Sequence, residues 1–361
     1  MIPKLLLFLA GFAGILVVAV ACMILFFAAS RGTDEWRQAA RVKAAMLAAA
    51  RGKVVPGAET VVLDDGARLD EVQLIATHNS SHRLPDPLRL FLIGLAVPGE
   101  PAKLRYAHQY LTDQLDAGIR SIELDVRRKG DRFIVSHVPF VDDRSNCPDF
   151  DLALEELRLW SERTPGHVPV LVLLELKDDA LSRIPGMKRF DRRGLDLLDG
   201  TIRSAFADSQ LLRPDDVRGG APTLEAAVLE RGWPTIRECR GRFLFILHEN
   251  ARLRGLFLEG NPVLSGRVMF TCASPGSPDA AVLLRNDPVT HGPSIRDLVA
   301  RHYMVRTRAD AELKADPRRF DEALASGAQI VTTDFPPSEP PHPSGYVCSF
   351  PGGLLGRMRP R

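Results

Sequence analysis

The sequence has few cysteines and no excess of charge of either sign. Five cysteines in 361 residues are far too few for a disulfide-stapled scaffold. Lys and Arg together number 47 and Asp and Glu 45, so the net charge of +2 lacks the strong basic excess of nucleic-acid-binding proteins. No Gly-rich phosphate-binding loop follows a predicted strand. The composition is ordinary for a folded protein, with 45% hydrophobic and 25% charged residues, which excludes fibrous and wholly disordered chains.

The amino terminus carries a long apolar run without charge, residues 5–29. At about 1.5 Å per residue, this run exceeds the roughly 30 Å hydrocarbon core of a bilayer. It is also longer than the ~7–15 apolar residues of a signal peptide. It therefore predicts a single-pass membrane anchor over residues 1–31, with the rest of the chain outside the cytoplasm. Basic residues flank both ends, so the positive-inside rule leaves the membrane side open. The alternative is cleavage near residues 28–30 and secretion.

Short apolar runs rich in Val, Ile and Leu recur from residue 72 onward and alternate with helical stretches. Such runs predict parallel strands that are buried on both faces. They cover residues 73–78, 119–126, 133–138, 168–176, 242–249, 268–273, 303–307 and 328–334. Eight strands with interposed helices predict a TIM-type (β/α)8 barrel, regular or irregular, with a doubly wound open sheet as the alternative.

The chain then divides into four parts. The predicted order is the anchor (1–31), a helical stalk or linker (32–70), the barrel (71–337) and a Pro-rich tail (338–361). The Pro-rich stretch after Phe335 predicts the end of regular structure.

Polar side chains cluster where the first four predicted strands end. They are His78 and Asn79 after the first run, Glu123 and Asp125 in the second, His137 after the third, and Glu175 and Lys177 after the fourth. Alternate residues of a strand share a face, so Glu123 and Asp125 project together. Catalytic groups of α/β barrels gather at the carboxyl ends of several strands. We therefore expect these side chains to face one site.

The chemistry of this set is coherent. The oxygen atoms of Asn79, Glu123, Asp125 and Glu175 suit a hard cation, Ca²⁺ or Mg²⁺. Two histidines, His78 and His137, are then free for proton transfer or for stabilising negative charge. The combination favours metal-assisted attack on a phosphodiester.

The order His78-Asn79, Glu123-x-Asp125, His137, Glu175 resembles the calcium-dependent phosphoinositide-specific phospholipase C family. The segments YAHQYLTDQLDAGIRSIELDV (106–126) and GAQIVTTDFP (327–336) look like the bacterial and fungal branch of that family. The resemblance covers roughly residues 70–337. It implies a phospholipid substrate in a membrane, cleaved to diacylglycerol and an inositol cyclic phosphate.

The resemblance also implies a role for each residue of the motif. His78 matches the histidine that stabilises the pentacoordinate phosphorane, and His137 matches the acid that protonates the diacylglycerol oxygen. Either Glu123 or Glu175 would be the base for the inositol 2-hydroxyl. The calcium ligands would be Asn79, Glu123, Asp125 and Glu175. Lys177 and Arg308 are candidate contacts to the substrate phosphate or headgroup, and an ion pair within the protein is the alternative for each.

Two other functions remain open from the sequence. A glycerophosphodiester phosphodiesterase would share the barrel, the Glu-x-Asp pair, a later His and the Glu175-x-Lys177 pattern. That family normally has Arg after the first His, where this chain has Asn79. A catalytically silent barrel that binds lipid headgroups is the other alternative. No protein partner can be inferred.

Two structural questions also remain open. Residues 87–99 form an apolar stretch with one charge, which predicts either a buried helix beside the barrel or a rim loop that enters a bilayer. Four cysteines lie beyond the apolar run, and they permit either disulfides or free buried thiols. These are Cys147, Cys239, Cys272 and Cys348.

Overall fold

The computed structural model describes residues 2–50, 63–184, 186–248, 251–337 and 342–360, and side chains from residue 17 onward except that of residue 19. The strands are β1 (Val72–Thr77), β2 (Ser121–Lys129), β3 (Arg132–Val135), β4 (Val170–Leu176), β5 (Met187–Lys188), β6 (Phe243–Leu247), β7 (Met269–Thr271), β8 (Val282–Leu284), β9 (Met304–Arg308), β10 (Ile330–Thr333) and β11 (Gly356–Met358).

The helices alternate with these strands along the chain. They are α1 (Ile2–Ala49), α2 (Pro87–Ala96), α3 (Glu100–Lys103), α4 (Leu111–Asp116), α5 (Phe150–Arg163), α6 (Arg192–Ala205), α7 (Pro214–Arg218), α8 (Leu224–Arg231), α9 (Ile236–Cys239), α10 (Ala251–Leu258), α11 (Pro288–Ala300) and α12 (Pro317–Ala325).

Eight parallel strands form the barrel, in the order β7-β6-β4-β2-β1-β10-β9-β8. The two end strands meet through a parallel bridge between Cys272 and Val282, where the amide of Ala273 donates to the Val282 carbonyl at 3.0 Å. The barrel is therefore nearly closed. Strands such as β4 and β6 are apolar and almost wholly buried, because barrel packing covers one face and helices the other. This arrangement confirms the predicted α/β fold with an eight-stranded parallel barrel.

One predicted barrel strand is wrong and one was missed. The run 133–138 yields β3, which pairs antiparallel with the end of β2 as a hairpin beyond the barrel. Its Phe133 and Val135 are buried, so the run has the composition of a core strand. The missing barrel strand is β8, whose three residues are too short to give a clear apolar pattern. As a consequence, His137 lies on the loop after a hairpin and not at the end of a barrel strand.

The Pro-rich tail does not end the regular structure. Residues 356–358 form β11, which pairs antiparallel with the start of β1, with Val72 opposite Met358. The last described residues thus return to the first barrel strand. Sequence reasoning missed this strand because its pairing partner lies far away along the chain.

The predicted membrane anchor requires a correction. Much of it falls on residues 1–16 and 19, whose side chains lie outside the description. Among the described residues, no helix combines the length and the apolar character that are needed to cross a membrane. The prediction of a transmembrane helix, and with it the predicted membrane localisation, is therefore wrong by this test.

The apolar stretch 87–99 forms the helix α2, so the expectation of a loop is wrong. The carboxylate of Asp86 accepts from the amide of Arg89 at 3.1 Å and caps the helix. One face, including Leu90 and Ile93, is buried. The opposite face exposes Phe91 and Leu95, at 62% and 68% of their surface. The helix is therefore half core element and half exposed apolar surface.

The four cysteines beyond the apolar run are buried, and no disulfide joins them in the described part of the chain. Burial raises the pKa of the Cys239 and Cys348 thiols to about 12. Thiols of this kind behave as small apolar groups. The alternative of disulfides is not supported.

Candidate active site at the carboxyl end of the barrel

Three adjacent barrel strands supply most of the predicted site. β1 leads directly into His78 and Asn79, and the neighbouring strands β2 and β4 run parallel. In their register, Asp125 lies opposite Glu175. The carboxyl ends of parallel strands meet at one rim, so these residues lie at the same end of the barrel.

A group of possible metal ligands lies at this rim. One carboxylate oxygen each from Glu123 and Glu175 and a ring nitrogen of His248 lie within 4.8 Å of one another. His248 follows β6, and its buried Nδ1 has no hydrogen-bond partner in the part of the chain that the structure describes. Sequence reasoning left this histidine unassigned, although its position directly after a barrel strand, like that of His78 after β1, was a usable signal. Among the described acidic residues and histidines, Asp125 is not a member of this compact group.

Two cations hold the carboxylates of the rim. Nη2 of Arg306 lies 2.5 Å from a carboxylate oxygen of Glu123, and the Lys177 amine lies 3.0 Å from Asp125 and 2.6 Å from Glu175. Burial alone would raise the pKa of Glu123, but the Arg306 charge lowers it to about 2. Burial likewise opposes ionisation of Glu175, and Lys177 nevertheless lowers its pKa. For Asp125 burial outweighs Lys177, so its pKa is raised.

The rim fits a calcium ion. The side-chain oxygen of Asn79 is buried and has no hydrogen-bond partner among the described residues, so it is an acceptor that a bound cation could use. Asn79 also has a left-handed backbone, with φ of 44°, a conformation that Asn tolerates and that recurs at functional sites. Three carboxylates face Arg306 and Lys177, which leaves an excess of negative oxygen donors. Oxygen donors of this kind are those that Ca²⁺ prefers.

His78 is held by a carboxylate and an arginine. The Nδ1 of His78 lies 2.6 Å from Oδ1 of Asp334. Arg308 bonds Oδ2 of the same carboxylate at 2.9 Å. The guanidinium of Arg308 also lies 3.4 Å from both ring nitrogens of His78. Burial works against ionisation of Asp334, yet His78 and Arg308 keep its pKa well below the usual range. Burial and the charge of Asp334 raise the pKa of the neighbouring carboxyl group of Asp310 to about 7.

His137 has a second carboxylate partner. Its Nδ1 lies 2.7 Å from Oδ2 of Asp142, and the other oxygen of Asp142 lies 3.1 Å from Nε2 of His82. The backbone carbonyl of His137 accepts from Arg127 at 2.7 Å. Burial lowers the pKa of His137, but Asp142 and then Asp125 raise it above its ordinary value. The ring is therefore held in one orientation and favoured as an imidazolium.

Both histidines thus have aspartate partners that sequence reasoning did not assign. Asp334 directly follows β10, and nothing in the local pattern connects it with His78. Asp142 follows His137 by five residues, without any periodic pattern to single it out. Arg306 of β9 was not assigned from the sequence either, and the structure pairs it with Glu123. Lys177 likewise contacts carboxylates, and its contact with substrate stays a prediction.

Comparison with known proteins identifies the family. The model of the Ca²⁺-dependent phosphoinositide phospholipase C family matches residues 67–134 and 127–360. The chain belongs to this family. Membership in these phospholipases C confirms the predicted phosphatidylinositol-cleaving phosphodiesterase and its dependence on Ca²⁺. It also favours them over the glycerophosphodiester phosphodiesterases that the Glu-x-Lys pattern left open.

Solved structures show the same fold. The calcium-dependent phosphoinositol-specific phospholipase C of a Gram-negative Pseudomonas species, in its myo-inositol complex, is 15% identical with a TM-score of 0.59, covering 83% of this chain and 99% of that one. The Ca²⁺-dependent phosphatidylinositol-specific phospholipase C of Streptomyces antibioticus is 22% identical with a TM-score of 0.54, covering 74% and 95%. No curated protein matched the chain.

Proposed function

We propose that this site cleaves phosphatidylinositol by attack of the inositol 2-hydroxyl on phosphorus, which releases diacylglycerol and leaves an inositol cyclic phosphate. The observation that supports this most directly is the pair of histidines that are each bonded through Nδ1 to a buried aspartate, Asp334 or Asp142. Such pairs fix the ring and its tautomer, so that Nε2 is the atom that meets the substrate.

His137 is the general acid of this proposal. Asp142 stabilises its imidazolium and raises its pKa, so the ring keeps its proton to a higher pH than an ordinary histidine and can pass it to the departing diacylglycerol oxygen. The side chain of His137 is 32% exposed, which leaves room for a substrate atom to approach.

His78 and Arg308 stabilise the charge that develops on the phosphoryl oxygens. Arg308 lies against the His78 ring, and both side chains bond the carboxylate of Asp334. This shared carboxylate holds the two donors next to each other. Donors that are already in place before reaction stabilise a transition state without reorganisation. The proposal accordingly places the phosphate between the two histidines.

Calcium would be held by Asn79, Glu123, Asp125 and Glu175, with His248 as a further candidate beside Glu123 and Glu175. When bound, it lowers the pKa of the attacking hydroxyl and neutralises the phosphate charge. Arg306 bonds Glu123 and Lys177 bonds Glu175, and these cations lower the pKa of the two glutamates.

Of the two candidate bases, we favour Glu175. The Glu123 side chain is 3% exposed and one of its oxygens is bonded to Arg306. The Glu175 side chain is 33% exposed. A base has to reach the proton that it removes within hydrogen-bond distance, and only the more open carboxylate satisfies this without rearrangement.

The exposed apolar face of α2 is proposed to contact the surface of the lipid. Leu88, Phe91 and Leu95 share this face, and Phe140 and Val141 lie exposed on the loop next to His137. Arg89 joins the two elements, since its Nε donates to the Phe140 carbonyl at 3.2 Å. An exposed apolar patch near the site suits an enzyme whose substrate lies in a bilayer.

The decisive experiment is the identity of the product. Phosphorus NMR of short-chain phosphatidylinositol with the enzyme and Ca²⁺ should show a cyclic inositol phosphate signal that appears before any open-chain ester. Glycerophosphoinositol should react far more slowly. Release of glycerol phosphate as the main product would refute the proposal, and the double variant H78A/H137A serves as the inactive control.

A further inference from the structure

The carboxyl-terminal part of α1 contacts the loops around His137 through a buried carboxylate. Asp34 is 2% exposed, and its oxygens accept from Arg144 at 2.6 and 3.1 Å and from Arg83 at 3.3 Å. Arg37 of the same helix lies 3.7 Å away. Asp34 therefore ties together two arginines from separate parts of the chain.

The two arginines belong to the loops that carry the partners of His137. Arg83 follows His82, and Arg144 lies two residues after Asp142. His82 and Asp142 bond each other at 3.1 Å, and Asp142 bonds His137 at 2.7 Å. Asp34 thus connects the two loop segments that carry His82 and Asp142, and Asp142 is the carboxylate that orients His137.

Other contacts from α1 hold the same loop. Arg31 donates to the carbonyls of Asp143 and Pro148, both at 3.2 Å. The fully enclosed guanidinium of Arg89 bonds Asp143 at 2.9 Å and, on α1, the Ser30 hydroxyl at 2.9 Å. Residues 136–148 contain no helix or strand, only isolated bridges, so the loop depends on such side-chain contacts for its shape.

We propose that Asp34 is a positioning residue for the general acid: by holding Arg83 and Arg144 it fixes the His82–Asp142 pair and, through Asp142, the orientation of His137. The family match begins at residue 67, so this control comes from a segment outside the family's common region. The inference rests on the proposed function, since it needs His137 to donate the proton to the leaving group.

A purely structural function is the competing explanation, because a carboxylate with 2% exposure also joins α1 to the barrel. The two explanations differ in what the loss of Asp34 does to catalysis. Loosening α1 would slow every substrate alike or lower stability. A misplaced general acid slows substrates with a poor leaving group and spares those whose leaving group needs no proton.

The test compares Asp34→Asn with Glu156→Gln in the full chain. Glu156 is a matched control, because it is 3% exposed, pairs with Arg41 of α1 at 2.5 Å, and contacts neither His82 nor Asp142. With short-chain phosphatidylinositol at saturating Ca²⁺, D34N should lower kcat by roughly tenfold to a hundredfold, since small misplacements of a catalytic group cost factors of this size. KM should change little. With a nitrophenyl inositol phosphate, D34N should lose less than about threefold.

The control E156Q should lower the melting temperature without any selectivity between the two leaving groups. Asp34→Glu keeps the carboxylate, so its kcat on short-chain phosphatidylinositol should be much closer to that of the unaltered protein than the kcat of D34N. Equal losses of D34N on both substrates, or a folded D34N with unchanged kcat, would overturn the inference. If D34N does not fold, Arg144→Gln breaks the same link from the other side and is subject to the same criteria.

A double variant separates this inference from the proposed function. If Asp34 acts through His137, D34N should cause no further loss in an H137A background, because the two residues act in series. Multiplicative losses in D34N/H137A would contradict it. If H137A itself shows no preference for the acidic leaving group, the assignment of His137 fails, and this outcome is recognised without any Asp34 variant.

Discussion

Asp334 bonds His78 through Nδ1 at 2.6 Å, although 256 positions separate the two residues along the chain. They meet because β1 and β10 are neighbours in the barrel, with Thr77 opposite Thr333. The first and last strands of the barrel thus build one half of the site, and Arg308 of β9 completes it by bonding the same carboxylate.

Asp334→Asn should act like the loss of His78. The amide keeps the shape but no longer stabilises a charged ring, so kcat should fall by about 10²–10⁴, the usual worth of such a group. Because His78 stabilises the phosphorane, the loss should be similar for natural and nitrophenyl substrates. Parallel kinetics of D334N and H78A on both substrates provide the check, and strong selectivity for one leaving group would contradict the assignment.

His137→Ala should separate substrates by their leaving group. The variant cannot protonate the diacylglycerol oxygen, so kcat on short-chain phosphatidylinositol should fall by roughly 10²–10⁴. A nitrophenyl inositol phosphate should be affected much less, since nitrophenolate departs without a proton. His108→Ala, which removes another buried histidine near the site, is a useful control that should not show this selectivity. Equal losses of H137A on both substrates would exclude it as the acid.

The alkaline limb of the pH profile should follow the His137–Asp142 pair. Burial lowers the pKa of His137, but Asp142 and Asp125 raise it above its ordinary value. The acid is therefore protonated below this raised pKa, and kcat/KM should fall as the pH rises through it. Asp142→Asn removes the first raising contact, so the alkaline limb should move to lower pH. A limb that stays in place in D142N would show that another group titrates there.

Calcium binding should depend on Asn79 and Glu175. Asn79→Ala and Glu175→Gln each remove an oxygen donor, and each should weaken Ca²⁺ binding at least tenfold by calorimetry of the protein without substrate. Calcium at about 100 times its Kd should stabilise the unaltered protein by about 2.7 kcal/mol, and the variants correspondingly less at the same concentration. Glu162→Gln, an exposed carboxylate on α5 bonded to Arg158, is the control that should bind normally. Unchanged binding by both site variants would refute the proposed ligand set.

Charges introduced on the exposed face of α2 should lower the activity on lipid vesicles and leave the activity on monomeric substrate unchanged. Phe91→Asp and Leu95→Asp place a carboxylate on side chains that are 62% and 68% exposed, so folding should be little affected. Activity on phosphatidylinositol vesicles should drop several-fold, because apolar contact with the surface is lost, while activity on monomeric short-chain substrate remains. Val289→Asp, on α11 at 42% exposure, is the matched control. Full vesicle activity of the α2 variants would exclude the proposed contact.

The motif residues could be predicted from the sequence because strand order and chemistry coincide in them. Parallel strands bring their carboxyl ends to one rim, so polar groups after apolar runs point to a shared site. This logic places Asn79, Glu123, Asp125 and Glu175 at the carboxyl end of the barrel, and their function as calcium ligands stays a prediction. It failed for His137, whose buried hairpin resembles a barrel strand, and for β8, which is too short to show a pattern.

The sequence by itself determined the parallel barrel and which polar residues lie at the ends of β1, β2 and β4, since each depends on patterns of a few neighbouring residues. Only the tertiary structure decided which acids orient those histidines, which cations hold the carboxylates, and that Asp34 of α1 reaches the loop of Asp142. These partners are distant along the chain. Ion pairs and hydrogen bonds between such residues leave no periodic trace in the sequence, because they depend on the path of the backbone through the whole fold and not on local propensity.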